Sequence, residues 1–258
     1  MNTGDMIAAF SLPPEARVNQ RVPKKLLVEN GAPTAADRRR INEGIEELLW
    51  VAALKPTTVG VPSFRDAVRE YLEIAVLSLM LHPAAKADRL MALVHRAIPY
   101  PVILVARQVD AITLSLAHKR WSQGEAGKMV LEGGVAEVRF EKISQTGWMA
   151  DEPTKRFLKS LALADLPRVD LLTVYQGWMD RIHALRAARI TGRFIPPQTG
   201  EHAAARRGAL EAYERLMSRM ADLRAQAERV SQIHRRVELN IEIKQLETNL
   251  TDAIKQMV

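Results

Sequence analysis

Asp66, Glu70, Glu73 and Lys119 are the residues whose types could do hydrolytic chemistry together. Two carboxylates and a lysine around a magnesium ion can position water against a phosphodiester, and an α/β core can carry such a set. The strand pattern acid-x-Lys that this chemistry favours is missing, because Glu73 is followed by Ile74-Ala75. Surface acids flanking a strand explain the same residues. A cryptic metal-dependent nuclease built on Asp66, Glu73 and Lys119 is therefore the enzymatic alternative. The six histidines, at 82, 95, 118, 183, 202 and 234, are scattered, with no HExxH and no paired ligand spacing. No GxxxxGK[ST] or GxGxxG occurs, which argues against a nucleotide-driven motor, and no GxSxG anchors a serine nucleophile. Cysteine is absent, which excludes disulfides, thiolate nucleophiles and Cys-based zinc sites. The expectation is a non-catalytic protein with no cofactor and no bound metal.

Basic clusters point to a different chemistry, the binding of phosphates. Arg21, Lys24 and Lys25 flank Pro23 in an extended segment, and Arg38, Arg39 and Arg40 sit in the first turns of a helix. Arg206 and Arg207 form a third group. Such clusters hold phosphates by charge-assisted hydrogen bonds and by counterion release. A run of three arginines is also an ordinary solvated helix face. No aromatic residue interleaves with the clusters, so the sequence gives no sign of base stacking. The net charge is +7, from 37 basic and 30 acidic residues. From Gly200 onward there are 10 Lys/Arg and 9 Asp/Glu, so the remaining 27 against 21 place nearly all the excess in the front part. Nonspecific contact with DNA through Arg21, Lys24, Lys25, Arg38, Arg39 and Arg40 is the expected use of that charge.

These residues need a frame. The chain has 258 residues, of which 47% are hydrophobic and 26% charged, an ordinary globular composition with an aliphatic core. No apolar run approaches the length that crosses a bilayer, and no secretory signal pattern opens the chain, so a cytoplasmic protein without membrane contact is expected. Residues 1–33, punctuated by prolines, read as irregular. Thr34 and Asp37 can cap a helix running through Leu49, followed by a strand Trp50–Leu54. Val59–Val61 and Tyr71–Leu81 read as strands, and Ala84–Arg96 as a helix. Val102–Val105 is an apolar run of the kind buried on both faces of a sheet. Ile112, Leu114 and Leu116 alternate with polar or small residues, the period of a half-buried strand. Lys128–Leu131 and Val135–Ile143 are two more strands, separated by Gly133-Gly134. Lys155–Leu163 and Val169–Ile190 read as helices. The expected fold is α/β (α+β), a mixed and largely antiparallel sheet over 1–150 flanked by helices, then a helical extension over 151–198 and a long helical arm over 199–258.

The arm carries two apolar seams at alternating spacings of four and three. The first runs Leu216, Met220, Leu223, Ala227, Val230, His234, Val237 and Ile241. The second runs Leu239, Ile243, Leu246, Leu250, Ala253 and Met257. Both have the period of a coiled-coil face, but they do not share one frame. With no Gly or Pro beyond Gly208, a continuous helix from about His202 to Met257 is the simpler expectation, extending on the order of 80 Å. A hairpin folded back on the core is the alternative. A helix of that length would seek another helix, and Leu216, Met220, Leu223, Val230, Val237, Ile241, Leu246 and Leu250 are its candidate partner-binding residues. His234 in the first seam reads as a register-setting polar position or a pH-sensitive contact.

Three stretches together resemble the bacterial and archaeal family catalogued as domain of unknown function 4391. They are Val18-Asn19-Gln20-Arg21-Val22-Pro23-Lys24-Lys25, followed by a helix ending at Trp50 and by Leu54-Lys55-Pro56; Ile98-Pro99-Tyr100-Pro101-Val102-Ile103-Leu104; and Arg235-Arg236-Val237-Glu238-Leu239-Asn240-Ile241-Glu242-Ile243-Lys244. They stand in the family's order and span nearly the whole chain. Ser144-Gln145-Thr146-Gly147-Trp148 departs from the aromatic and acidic residues that the family carries before its late Trp. The resemblance implies an accessory component of a DNA-modification or phage-defence system, since such members are encoded beside DNA methyltransferases and helicase-like restriction subunits. The expected partners are a helicase- or methyltransferase-like subunit, or a second copy, on the helical arm, and DNA on the basic front. A structural homodimer with no DNA role is the remaining alternative.

Overall fold

The computed structural model describes residues 2–125, 127–141 and 151–258. The chain divides into two units, one of Met1–Asp151 with Leu158–Ile182 and one of Glu152–Phe157 with His183–Val258.

The first unit begins with helix α1 (Thr3–Ala8), edge strand β1 (Arg17–Arg21) and helix α2 (Lys24–Gly31). The segment expected to be irregular is thus mostly regular. Its prolines sit where they are tolerated, Pro23 just before α2 and Pro14 at the first position of a short 3₁₀ turn (Pro14–Ala16). Helix α3 (Ala35–Gly44) is capped as expected, with the Asp37 N–H donating to Thr34 Oγ1 at 3.1 Å. It ends five residues early, and strand β2 occupies Ile45–Leu54. The reason is a β-bulge between Ile45 and Glu47, which leaves the buried Ile45 and Leu48 three residues apart and imitates a helical period. Gly44 packs closely there, since a Cβ would lie 2.7 Å from Leu90 Cδ1 and would displace that side chain.

A short helix α4 (Pro56–Val59) replaces the expected strand at Val59–Val61. The small hairpin β3 (Phe64–Arg65) and β4 (Glu70–Tyr71) precedes β5 (Ile74–Leu81), so the apolar stretch from Tyr71 divides into two strands. Then follow α5 (Ala87–Ala97), β6 (Val102–Gln108), β7 (Ala111–Trp121) and β8 (Met129–Glu141). Strand β8 passes through Gly133-Gly134 without a break, Gly133 taking a φ of 69° that only glycine adopts easily. Ile143 and the Ser144–Trp148 stretch lie outside the described residues.

The sheet order is β1-β2-β5-β6-β7-β8. All neighbours are antiparallel except β5 and β6, which α5 joins as a parallel crossover. The mixed, mostly antiparallel sheet is therefore present. Val102, Ile103, Leu104 and Val105 are fully buried on central β6, as an apolar run without alternation requires. Helices α2, α3 and α5 cover one face, with Leu27, Ile41, Leu90 and Val94 packed on Leu48, Leu77 and Leu104. Each such side chain contributes about 1.5–3 kcal/mol of burial.

After α6 (Glu152–Ser160), the opposite face receives the part of α7 (Leu171–Thr191) that belongs to this unit, up to Ile182. Tyr175 is the anchor of α7 on the sheet. A bulge in β8, where Gly133, Gly134 and Val135 stand opposite Ala117 of β7, leaves Ala117 out of the ladder, and the Tyr175 hydroxyl accepts from the Ala117 N–H at 2.9 Å. The same hydroxyl donates to the Val102 carbonyl at 2.8 Å. Trp178 donates to the Leu161 carbonyl at 2.9 Å and meets Phe10 edge-on.

In the second unit, α8 (Gly200–Arg229) and α9 (Ile233–Lys255) form an antiparallel hairpin. The continuous helix expected from His202 to Met257 does not form: the chain turns at Val230–Gln232, with Val230 and Gln232 in extended conformation. Arg236 closes the turn by donating to the Val230 carbonyl at 3.0 Å. The mismatch in frame between the seams is the physical reason. One straight helix would leave two stripes uncovered, whereas a turn lets Met220, Leu223 and Ala227 of the first seam pack on Leu239 and Ile243 of the second. Arg219–Glu242 at 2.8 Å and Arg224–Glu247 at 3.1 Å bridge the two helices at the surface. At the open end, buried Arg206 donates to the carbonyls of Met257 at 3.0 Å and Ile195 at 2.9 Å. No helix among the described residues is long and apolar enough to cross a membrane.

Candidate functional site

The basic residues of the front collect where β1 turns into α2. Strand β1 is an edge strand exposed along its whole length, and its register with β2 slips between Arg17 and Gln20. Asn19 takes a φ of 49° in that slip. Such a bulged, charged edge resists pairing with another sheet. Arg21 ends the strand, and Lys24 and Lys25 open α2, whose first turn has no acidic residue and no side-chain cap. Two lysines at the positive end of a helix gain nothing from its dipole, so they concentrate positive potential there. Arg17 and Arg21 form no ion pair among the described residues. Lys24 Nζ donates to the Asn42 carbonyl at 2.9 Å, which leaves two ammonium hydrogens free, and Lys25 lies 3.7 Å from Glu29.

The second expected cluster is partly spent on structure. Arg40 and Arg89 both bind buried Asp37, Arg89 through two bonds of 2.9 and 2.7 Å. The Arg89 guanidinium, with Thr34 and Arg40 behind it, holds the Asp37 carboxyl well below the usual carboxylate range. Arg39 pairs with Glu43 at 2.8 Å, and only Arg38 of the three stays without an ion pair among the described residues.

Beside Arg21 lies a pocket of about 290 Å³. Its walls are Val22, Pro23 and Leu26 from the β1–α2 corner, Trp50 from β2, and Ile98 and Tyr100 from the corner between α5 and β6. Gln20 and Arg21 of β1 also line it. The Trp50 indole is held by donating to the Ala52 carbonyl at 2.8 Å, and Tyr100 is 38% exposed. The first two stretches that carry the family resemblance thus meet around one cavity. A second depression of about 350 Å³ shares Arg21 and Lys24 but adds Glu46 and Glu47, so its charge is mixed.

The expected hydrolytic set does not assemble. The Asp66 carboxylate accepts from the N–H groups of Val68 at 2.7 Å and Arg69 at 2.6 Å, closing the β3–β4 turn, and these bonds lower its pKa. Glu73 pairs with Lys55 at 3.1 Å, leaving its buried Oε1 without a partner. Lys119 is buried under α5, where Nζ donates to the carbonyls of His95 at 2.6 Å and of Ile98. Burial pushes its pKa down to about 7. Among the described residues no three His, Asp or Glu side chains gather where they could hold a metal ion.

Sequence reasoning missed two polar groups that flank β7. Under α5, His95 Nε2 meets Ser115 Oγ at 2.9 Å, and full burial pushes the imidazole down to about 3. On the opposite face, Tyr71 hydroxyl bonds His118 Nδ1, His118 Nε2 meets Gln176 Oε1 at 2.7 Å, and Gln176 donates to Asp180 at 2.8 Å. Burial lowers the His118 pKa and raises that of Tyr71, so a neutral phenol donates to a neutral imidazole. This directional chain ties β4, β7 and α7 together. The alternation along β7 was legible; the helix residues that meet it were not.

Of the expected partner-binding residues, Met220 and Leu223 are buried inside the hairpin, with Val230, Leu246 and Leu250 packed at its margins. Leu216 is half-buried. Val237 and Ile241 face outward at 50% and 56% exposure, with Ile233 beside them at 78%. His234 is exposed and lies 3.3 Å from Glu238.

By fold the chain is a mixed α/β protein with a mostly antiparallel sheet and helices at its C-terminus. A family model matches residues 10–250, and the chain belongs to the family described as domain of unknown function (DUF4391). No curated protein and no solved structure matches it.

Proposed function

We propose that this chain is a non-catalytic assembly subunit that binds a protein partner through the hairpin and DNA through the basic β1–α2 corner. The observation that carries the reading is the outward stripe Ile233, Val237 and Ile241 on α9. Residues four apart stay on one helix face, so these side chains form a continuous apolar ridge while the other seam is already consumed within the hairpin. Uncovered β-branched residues in a row, flanked by Arg235, Arg236 and Glu238, fit an interface with a polar rim. Arg17, Arg21, Lys24 and Lys25 support phosphate contact, in keeping with the +7 charge of the chain. The kind of system implied by the family resemblance, DNA modification or phage defence with a helicase- or methyltransferase-like subunit, gives the partner its class. The test is recovery of the wild type and of Val237→Glu/Ile241→Glu from the native host, with solution mass and duplex-DNA binding across a salt series. The wild type is expected to co-purify with a partner and the double variant to lose it with an unchanged helical spectrum. A wild type that stays monomeric in host extract and ignores DNA at low salt would overturn the reading.

A further inference from the structure

The cavity beside Arg21 combines features that seldom occur together on a surface. Its walls are apolar and aromatic, from Trp50, Tyr100, Pro23 and Leu26. Gln20 and Arg21 of β1 complete its lining. The Trp50 ring is fixed before any ligand arrives by its bond to the Ala52 carbonyl at 2.8 Å. At about 290 Å³ it lies at the small end of ligand sites, too small for an extended chain and adequate for one planar ring system. Lys24, next to Pro23 of the lining, borders the neighbouring depression that shares Arg21, Val22 and Pro23, and two of its ammonium hydrogens are uncommitted. An aromatic slot with cations at its mouth is the arrangement that receives a base whose phosphate remains outside.

We propose that this pocket takes one unpaired base of single-stranded DNA. The base stacks against Trp50 or Tyr100, Gln20 meets its polar edge, and Arg21 and Lys24 hold the adjoining phosphates. This inference rests on the DNA contact proposed above and names its substrate as an unpaired strand rather than a duplex. Trp50 and Tyr100 lie far from the basic residues in sequence, so the missing aromatic interleaving is supplied by the fold. Pairing of bases would block entry, because a duplex keeps its bases stacked on one another.

The test compares a fluorescein-labelled thymidine decamer with an abasic decamer carrying the same phosphates, by anisotropy at low salt. Stacking one base corresponds to roughly a five- to hundredfold gain in affinity, so the thymidine decamer is expected to bind tighter by that factor. Trp50→Ala should lower it to the abasic level while leaving abasic binding unchanged. Tyr100→Ala, at an exposed position, repeats the test without touching the core, and Arg21→Gln/Lys24→Gln should weaken both oligomers. Equal binding of the two oligomers, with no effect of Trp50→Ala or Tyr100→Ala, overturns the base pocket and leaves the phosphate contact standing. Failure of both oligomers and of duplex DNA to bind overturns the DNA reading itself, and the pocket assignment with it.

Discussion

Mild acid is expected to destabilise the α/β unit through its buried imidazoles, and the contribution of His95 can be isolated from that of His118. The His95 ring is fully buried between α5 and β7, with Nε2 on Ser115 and Nδ1 buried without a partner. Burial, reinforced by the Lys119 ammonium nearby, lowers its pKa from 6.5 to about 3. Between those values the unfolded chain binds a proton that the folded chain refuses, so stability rises with pH across the window and falls on acidification. At pH 5 the unfolded imidazole is about 1.5 units below its own pKa, and at about 1.36 kcal/mol per unit the loss relative to pH 7 is about 2 kcal/mol. Lys119 contributes in the same direction at higher pH, from about 7 toward its ordinary 10.5. Lys119 and His118 are common to the wild type and to His95→Gln, whose amide keeps a bond to Ser115. Urea unfolding at pH 5, 6 and 7, followed by tryptophan fluorescence, reads the unit directly because Trp50, Trp121 and Trp178 all belong to it. The wild type is expected to lose about 2 kcal/mol more than His95→Gln between pH 7 and pH 5. Equal losses in the two proteins would refute the reasoning.

Two further outcomes follow from particular packing. Tyr175→Phe removes the hydroxyl that serves the bulge at Ala117 and the Val102 carbonyl, and should cost about 1–3 kcal/mol by denaturant titration, with the Ala117 amide losing protection from hydrogen exchange. Leu223→Ala opens a cavity at a fully buried position of the hairpin and should cost about 2–5 kcal/mol of hairpin stability. Hydrogen exchange along α8 and α9 reads that loss, with the β-sheet amides unaffected.

Periodicity determined much of this chain. The alternation of Ile112, Leu114 and Leu116 marked a strand, although Thr113, Ser115 and Ala117 on its other face are buried too, and the unbroken apolar run at Val102–Val105 and the Thr34 cap each led to the element found, because each depends on residues within one element. The family resemblance was legible in three short stretches, whereas of the arm's first apolar seam only Met220, Leu223 and Ala227 are buried in the hairpin and Val237 and Ile241 face outward. What the seams pack against was not legible. A helix with two offset stripes is compatible with a straight arm or with a hairpin, and only tertiary burial of one stripe on the other selects the turn at Val230–Gln232. The bulge in β2 hid a strand for the same reason, since its extra residue is absorbed by pairing with β5 rather than by anything local. The pocket is wholly tertiary. Arg21, Trp50 and Tyr100 are separated by tens of residues, and sheet order alone brings β2 and the α5–β6 corner to the end of β1. Residue types announce what a side chain can do, whereas burial and neighbours, which decide that Lys119 sits under a helix and Arg21 at a lip, are properties of the folded chain.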